Sequence, residues 1–196
     1  MAGGAEAKVA LRSRMRAVRD AVPVAERTAW SLRIAAHGGV ALCERAAGAV
    51  VSLYWPMRSE ADPRPLAEAL TAAGAQLALP AFVGARMEFR RWLAGDALHP
   101  AGFSTFEPLA TAPVVTPSLV LAPLLAFDRN GGRLGWGKGC YDTFLGELDA
   151  AADRSQGRRP FVVGIAFALQ QVDDVPLESH DRRLDAVVTE LGYGAW

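Results

Sequence analysis

Two cysteines, Cys43 and Cys140, and three histidines are all that 196 residues offer in the way of soft or switchable ligands. That excludes a disulfide framework and any run of Cys and His at metal-ligand spacing, and it suits a reducing, cytoplasmic setting. An excess of one charge is also missing, because 21 Lys and Arg balance 21 Asp and Glu. Bulk attraction to nucleic acid is excluded by that balance, though a local basic site is not. No apolar run is long enough for a membrane span. The arginine-interrupted start AKVALRSRMRAVRD lacks the apolar core of a signal peptide, and Glu6, Asp20 and the scarcity of serine disfavour a transit peptide. Neither an internal repeat nor an interdomain linker stands out, so residues 1–196 are expected to form a single domain.

The first segment reads as a helix with Leu11, Met15, Val18 and Val22 on one stripe and Lys8, Arg12 and Arg19 along its edge. Those bases form a solvated face or reach into a neighbouring cleft. A second helix is expected after Pro23, running toward Glu44, with Gly38-Gly39 as the place where it would break. AVVSLYW, PRPLAEALTAAG and QLALPAF then read as strand, helix and strand, the signature of a parallel sheet. MEFRRWLA fits a strand at an edge of that sheet, and GDALHPAGFSTFEPLATAPVVTP fits a loop covering a cleft. SLVLAPLLAFD is the most apolar strand candidate, YDTFLGELDAAAD is helix-forming, FVVGIAF is a buried strand and LDAVVTE a last short one. The fold class expected is α/β, three layers, with a mixed and mainly parallel sheet between helices.

Chemistry concentrates in GGRLGWGKGCYD, Gly131 to Asp142, where a strand passes through glycines into a helix start. Converging backbone N–H groups, the helix dipole and missing Cβ atoms make such a turn an anion site. Gly132 to Lys138 matches the first seven places of a P-loop, but Gly139 stands where that motif needs a hydroxyl. Gly135, Gly137 and Gly139 begin a dinucleotide fingerprint that fails at Cys140. What remains is a phosphate cradle carrying its own cations, Arg133 and Lys138, and its own carboxylate, Asp142, which can hold a magnesium ion brought by nucleotide phosphates. A glycine turn whose aspartate serves only the helix dipole is the plainer alternative.

The segment FDRNGGRLGWGKGCYDTFL resembles the hallmark of the 5-formyltetrahydrofolate cyclo-ligase family, also called 5,10-methenyltetrahydrofolate synthetases. The likeness extends to K-x-x-LR at Lys8 to Arg12, YWPMRSE ending in Glu60, LPAF with the later MEF, GFSTFEP with Glu107-Pro108, LAPLLAFD, and D-x-x-LDAVVTE with Asp181 and Asp185. The order and spacing of these pieces make it specific. Cys140 departs from it, standing where the family usually has a tyrosine, and Trp136 fills a variable place.

The resemblance implies a fold similar to the sugar-phosphate isomerase and CoA-transferase group, and ATP- and magnesium-dependent closure of 5-formyltetrahydrofolate to 5,10-methenyltetrahydrofolate. It implies that Lys8 and Arg12 clamp ATP phosphates and that Arg133, Leu134, Gly135, Trp136, Gly137, Lys138, Gly139, Cys140 and Tyr141 wrap the nucleotide. Lys138, with Arg133, would stabilise the phosphoryl group in transfer, Asp142 and Asp185 would hold Mg2+, and Trp55 and Glu60 would face the reduced folate. Asp181 is either a partner of Asp185 or a loop residue; Phe82 and Phe106 are folate contacts or core. His37, His99 and His180 are assigned nothing, Asp173-Asp174 reads as solvated, and Trp30 and Trp92 as packing. No nucleic acid or membrane partner is expected, and the chain would act as a monomer or weak homo-oligomer. Two other functions fit the same residues: a silent relative that binds RNA or protein, and an ATP-dependent enzyme on a different amide or pterin.

Overall fold

The computed structural model describes residues 2–102, 105–178 and 181–196, with side chains from position 4 onward. Phe103 and Ser104 of GFSTFEP, and His180, lie outside the described residues.

Helix α1 (Ala2–Asp20) leads into α2 (Val24–Ala46) through Pro23. The expected break at Gly38-Gly39 does not occur. These glycines are instead the contact with α3 (Arg64–Ala72): a Cβ at Gly38 would come within 2.9 Å of Leu66 Cδ2, and one at Gly39 within 3.2 Å of Ala69 Cβ. The missing side chains let two helices approach closely, which offsets the helix-propensity cost of glycine, about 1 kcal/mol each. Leu66 is fully buried in the notch, so truncating it to alanine should cost about 2–5 kcal/mol.

The strands are β1 (Val50–Ser52), β2 (Gln76–Val83), β3 (Arg86–Arg91), β4 (Leu98–Pro100), β5 (Phe106–Pro108), β6 (Val114–Val115), β7 (Leu119–Pro123), β8 (Ala126–Phe127), β9 (Arg133–Leu134), β10 (Phe161–Ile165), β11 (Ala186–Thr189) and β12 (Gly192–Ala195). Eight of them form one sheet in the order β12-β11-β10-β7-β1-β2-β3-β6. The central run β11-β10-β7-β1-β2 is parallel, whereas β12, β3 and β6 each pair antiparallel with their neighbours. The expected three-layer, mainly parallel α/β architecture is therefore the observed one.

Three expectations about strands and loops need correction. β3 is not the sheet edge, because Phe89 and Arg90 pair with Val115 and Val114 of β6. The covering segment also contains a small hairpin, β4 with β5. SLVLAPLLAFD is not one strand either: Pro123 ends β7, and the chain turns into β8, which pairs with β9. Proline has no N–H to continue the ladder.

Strand residues alternate between faces, and the helices divide accordingly. Ile34 and Leu42 of α2 and Leu66 and Leu70 of α3 pack with Val51, Leu121, Val163 and Val188. Leu145 of α4 (Cys140–Ser155) packs with Val120, Ala122, Val162 and Val187 on the other side. Helix α1 covers neither face. Met15, with Leu11, packs against Leu125, Ala126, Leu134 and Trp136, beyond the carboxyl end of β7. Val18, expected on the same stripe, is exposed. Among the described residues no helix is long and apolar enough to cross a membrane.

Candidate active site

The glycine segment needs its glycines for two local reasons. Gly137 and Gly139 have φ of 97° and 68°, left-handed values that a side chain rarely adopts. At Gly137 a Cβ would also lie 3.1 Å from Arg12 Cζ, so the missing side chain makes room for the guanidinium of α1. Arg12 Nε donates to the Gly135 carbonyl at 3.0 Å, binding the first helix to the loop. Gly139 is the N-cap of α4 and no side chain caps that helix, which leaves its first N–H groups without a side-chain acceptor, as an anion site requires.

Arg133 and Asp142 meet across this loop. The Arg133 side chain is nearly buried, and its Nη2 donates to Asp142 Oδ1 at 2.5 Å. Its Nε is buried without a hydrogen-bond partner. The Arg182 N–H also points to Asp142 Oδ1, at 3.4 Å. Lys8, almost buried on α1, donates to Asp181 Oδ2 at 2.6 Å and lies 3.2 Å from Glu178 Oε1. Burial alone would lower its pKa, but the bonds and charges of Asp181 and Glu178 outweigh that and hold the ammonium above its ordinary value.

Beside the loop sits a buried carboxylate. Glu60 accepts the Trp136 indole N–H at 2.7 Å on one oxygen and the Met57 N–H at 2.7 Å on the other. Burial raises its pKa, while those two donors and the charge of Arg19 act in the opposite direction. Trp55, on the same connection, is half-buried; its ring lies 5.3 Å from Phe106 and carries the Arg64 guanidinium at 4.5 Å. Phe106 and Phe82 are both exposed, so neither belongs to the core.

The structure thus gathers Arg12, Gly135, Gly137, Arg133, Asp142 and Tyr141 around one loop, with Lys8 and Asp181 near it. Lys138 and Cys140 line a small adjoining cavity with Met87, Phe144 and Glu147. Leu134 is buried in the packing under α1. Trp136, expected among the nucleotide contacts, turns its N–H to Glu60 and its ring to Arg16 and Arg19. Asp185 stands apart from this group. It directly precedes β11, accepts the Val162 N–H at 2.8 Å and pairs with Arg182 at 3.2 Å, so the sheet's amino-terminal edge holds its carboxylate.

Sequence patterning does not single out Asp128, Arg182 or the depth of Arg19. Asp128, 1% exposed, accepts N–H groups from Asn130, Gly132 and Val175 and so shapes the turn that opens the glycine segment. Of the described histidines, His37 meets the Thr189 carbonyl and His99 faces Glu107. Trp30 packs edge-on against Phe167, and Trp92 is buried.

These features define a three-layer α/β protein whose glycine loop is met by the basic edge of its first helix. The chain belongs to the 5-formyltetrahydrofolate cyclo-ligase family, whose model matches residues 4–190. The Escherichia coli K12 5-formyltetrahydrofolate cyclo-ligase is 31% identical over 153 residues, spanning 74% of this chain and 80% of that protein. With the Mus musculus cyclo-ligase the identity is 38% over 72 residues, so that the match spans only 34% of the mouse protein. The solved Aquifex aeolicus 5,10-methenyltetrahydrofolate synthetase superposes with a TM-score of 0.79 at 27% identity, covering 96% of this chain and 92% of its own. The Mycoplasma pneumoniae synthetase, at 21% identity and a TM-score of 0.73, has the same fold.

Proposed function

We propose that the protein closes 5-formyltetrahydrofolate to 5,10-methenyltetrahydrofolate with ATP, releasing ADP and phosphate. One juxtaposition carries this reading: Arg12 lies on Gly135 and Gly137 and Arg133 on Asp142, at an uncapped helix start, beside the buried Glu60–Trp136 pair.

The formyl oxygen of an N-formyl amide is a poor leaving group. Transfer of the γ-phosphoryl group to that oxygen gives an imidate-like phosphate; N10 attacks the formyl carbon, the carbon–oxygen bond breaks and phosphate departs with the oxygen. No covalent enzyme intermediate is needed, so the work is positioning and charge neutralisation. In this reading Lys8 and Arg12 hold the nucleotide phosphates, Arg133 to Tyr141 surround them, and Lys138 stabilises the group in transfer. Trp55 and Glu60 face the folate.

Magnesium fits this donor set as a partner of phosphate rather than as a resident ion. Among the described residues no group of three or more His, Cys, Asp or Glu could hold a metal, and magnesium carried by phosphates needs only one or two carboxylates. Asp142 is one. Asp181, which pairs with Lys8, takes the second place in preference to Asp185, because its neighbour Arg182 turns its N–H to Asp142, whereas Asp185 directly precedes β11 at the sheet's amino-terminal edge. When bound, the ion would neutralise phosphate charge.

The test is spectrophotometric. Purified protein with 5-formyltetrahydrofolate, ATP and magnesium should develop the near-ultraviolet band of the conjugated methenyl product, and omission of ATP should abolish it. Absence of the band under both conditions would remove the proposal.

A further inference from the structure

Three inward bases ride on α1: Lys8 pairs with Asp181 and Glu178, and Arg12 donates to the Gly135 carbonyl. The third, Arg19, is 0% exposed. Its Nε donates to Ser59 Oγ at 3.1 Å and its Nη1 to the Leu124 carbonyl at 3.2 Å. Nη2 is buried with no hydrogen-bond partner. Among the described residues none of its nitrogens donates to a carboxylate. A guanidinium buried on neutral acceptors alone is costly, so the charges arranged around it define its role.

Two such features lie next to it. The Trp136 ring centroid is 5.2 Å from Arg19 Cζ, with Arg16 Cζ at 5.3 Å, a cation–π arrangement that fixes the indole plane. That indole donates to Glu60 at 2.7 Å. Glu60 itself follows Ser59, the Arg19 partner, and the Arg19 and Glu60 charges attract one another. The other charged or titratable groups in this neighbourhood are Arg16 and Asp20 of α1, Tyr54 and Tyr141, which face the Glu60 charge, and their own neighbours Asp62 and Arg133. Each Glu60 oxygen accepts one protein N–H and keeps a further lone pair, a geometry suited to adjacent N–H donors on a heterocycle.

We propose that Arg19 is a positioning residue of the folate site: it orients the Trp136 indole that donates to Glu60, and it supplies the counter-charge for the buried Glu60 carboxylate that receives the pterin N–H groups. The proposal rests on the folate reading of Glu60 given above, and it adds a residue that touches no reacting atom.

Its test compares the full-length protein with Arg19→Met and Arg19→Lys. In folate-free protein carrying 13C-labelled glutamate, the Glu60 carboxyl resonance, assigned with Glu60→Gln, is titrated by NMR. Arg19→Met should raise the Glu60 midpoint by about one unit or more, and Arg19→Lys should restore most of it. In turnover, Arg19→Met should raise the folate KM about tenfold at pH 6 while the ATP KM stays within about twofold. An unmoved Glu60 midpoint, or folate and ATP KM values rising together, overturns the proposal. Should Arg19→Met fail to fold, Arg19→Gln, which keeps a donor without the charge, takes its place with the same expected outcome. If the unmodified protein neither binds nor turns over the folate, the proposed function falls on its own, and a shifted Glu60 midpoint still establishes the charge coupling.

Discussion

Arg133 and Asp142, nine residues apart, form an ion pair of 2.5 Å across the start of α4, with the arginine side chain only 3% exposed. The pair fixes the aspartate at the mouth of the glycine cradle, and it means that any ion taken up by Asp142 does so beside a permanent positive charge. Asp142→Asn keeps an acceptor for Arg133 but removes the charge that would meet magnesium. It should raise the magnesium requirement for turnover about tenfold or more, whereas Asp185→Asn, which alters a carboxylate committed to Val162 and Arg182, should leave the magnesium titration unchanged. A shift in Asp185→Asn alone would reverse the assignment.

Lys138 lies in the exposed part of the loop beside Cys140 and Phe144. In the proposed role it would meet charge that develops during phosphoryl transfer, and so contribute more to the transition state than to ground-state binding. Lys138→Ala should lower kcat about 100-fold or more and leave the folate KM within about threefold. Equal losses in the two quantities would mean that Lys138 merely binds.

The layered fold was legible because each strand–helix alternation carried its own punctuation, and the glycine turn into α4 was legible from the density of its glycines. The unread parts share a physical cause: they depend on partners distant in sequence. Val114–Val115 become a strand only because β3 offers an open edge. Gly38-Gly39 looks like a break until Leu66 and Ala69 arrive from α3. Arg19 carries the same helical spacing as a solvated base, and its complete burial follows from Ser59, Leu124 and Trp136. Asp185 shares a short acidic motif with Asp181, yet Asp185 directly precedes β11 and is held by Val162 of the neighbouring strand, while Asp181 pairs with Lys8 of α1.

Asp128 is a stability residue rather than a chemical one. Its buried carboxylate accepts three backbone N–H groups, and a Cβ at Gly132 would lie 2.3 Å from its Oδ2. Asp128→Ala leaves those donors without their acceptor and should cost about 3 kcal/mol or more; Gly132→Ala, which forces the same carboxylate aside, should cost about 2 kcal/mol or more. Thermal unfolding measures both, and a melting temperature within about 2 °C of the parent for either one would contradict this role.

Glu60 gives the protein a pH signature of definite sign. Burial raises its folded-state pKa above the ordinary 4.5, so between that value and the raised one the folded protein holds a proton that the unfolded chain has released. Stability therefore falls as pH rises through this window and levels off above the folded pKa. Glu60→Gln cannot titrate, and it also loses the acceptor for the Met57 N–H. The parent's stability relative to Glu60→Gln should accordingly be greatest near pH 4.5 and decline toward neutrality. Denaturant unfolding at a series of pH values checks this, and a difference that grew with pH would mean that the donors and Arg19 outweigh burial at Glu60. The same carboxylate, ionised, is the form proposed to receive the folate, so the pH range that weakens the fold is the range in which the site becomes competent.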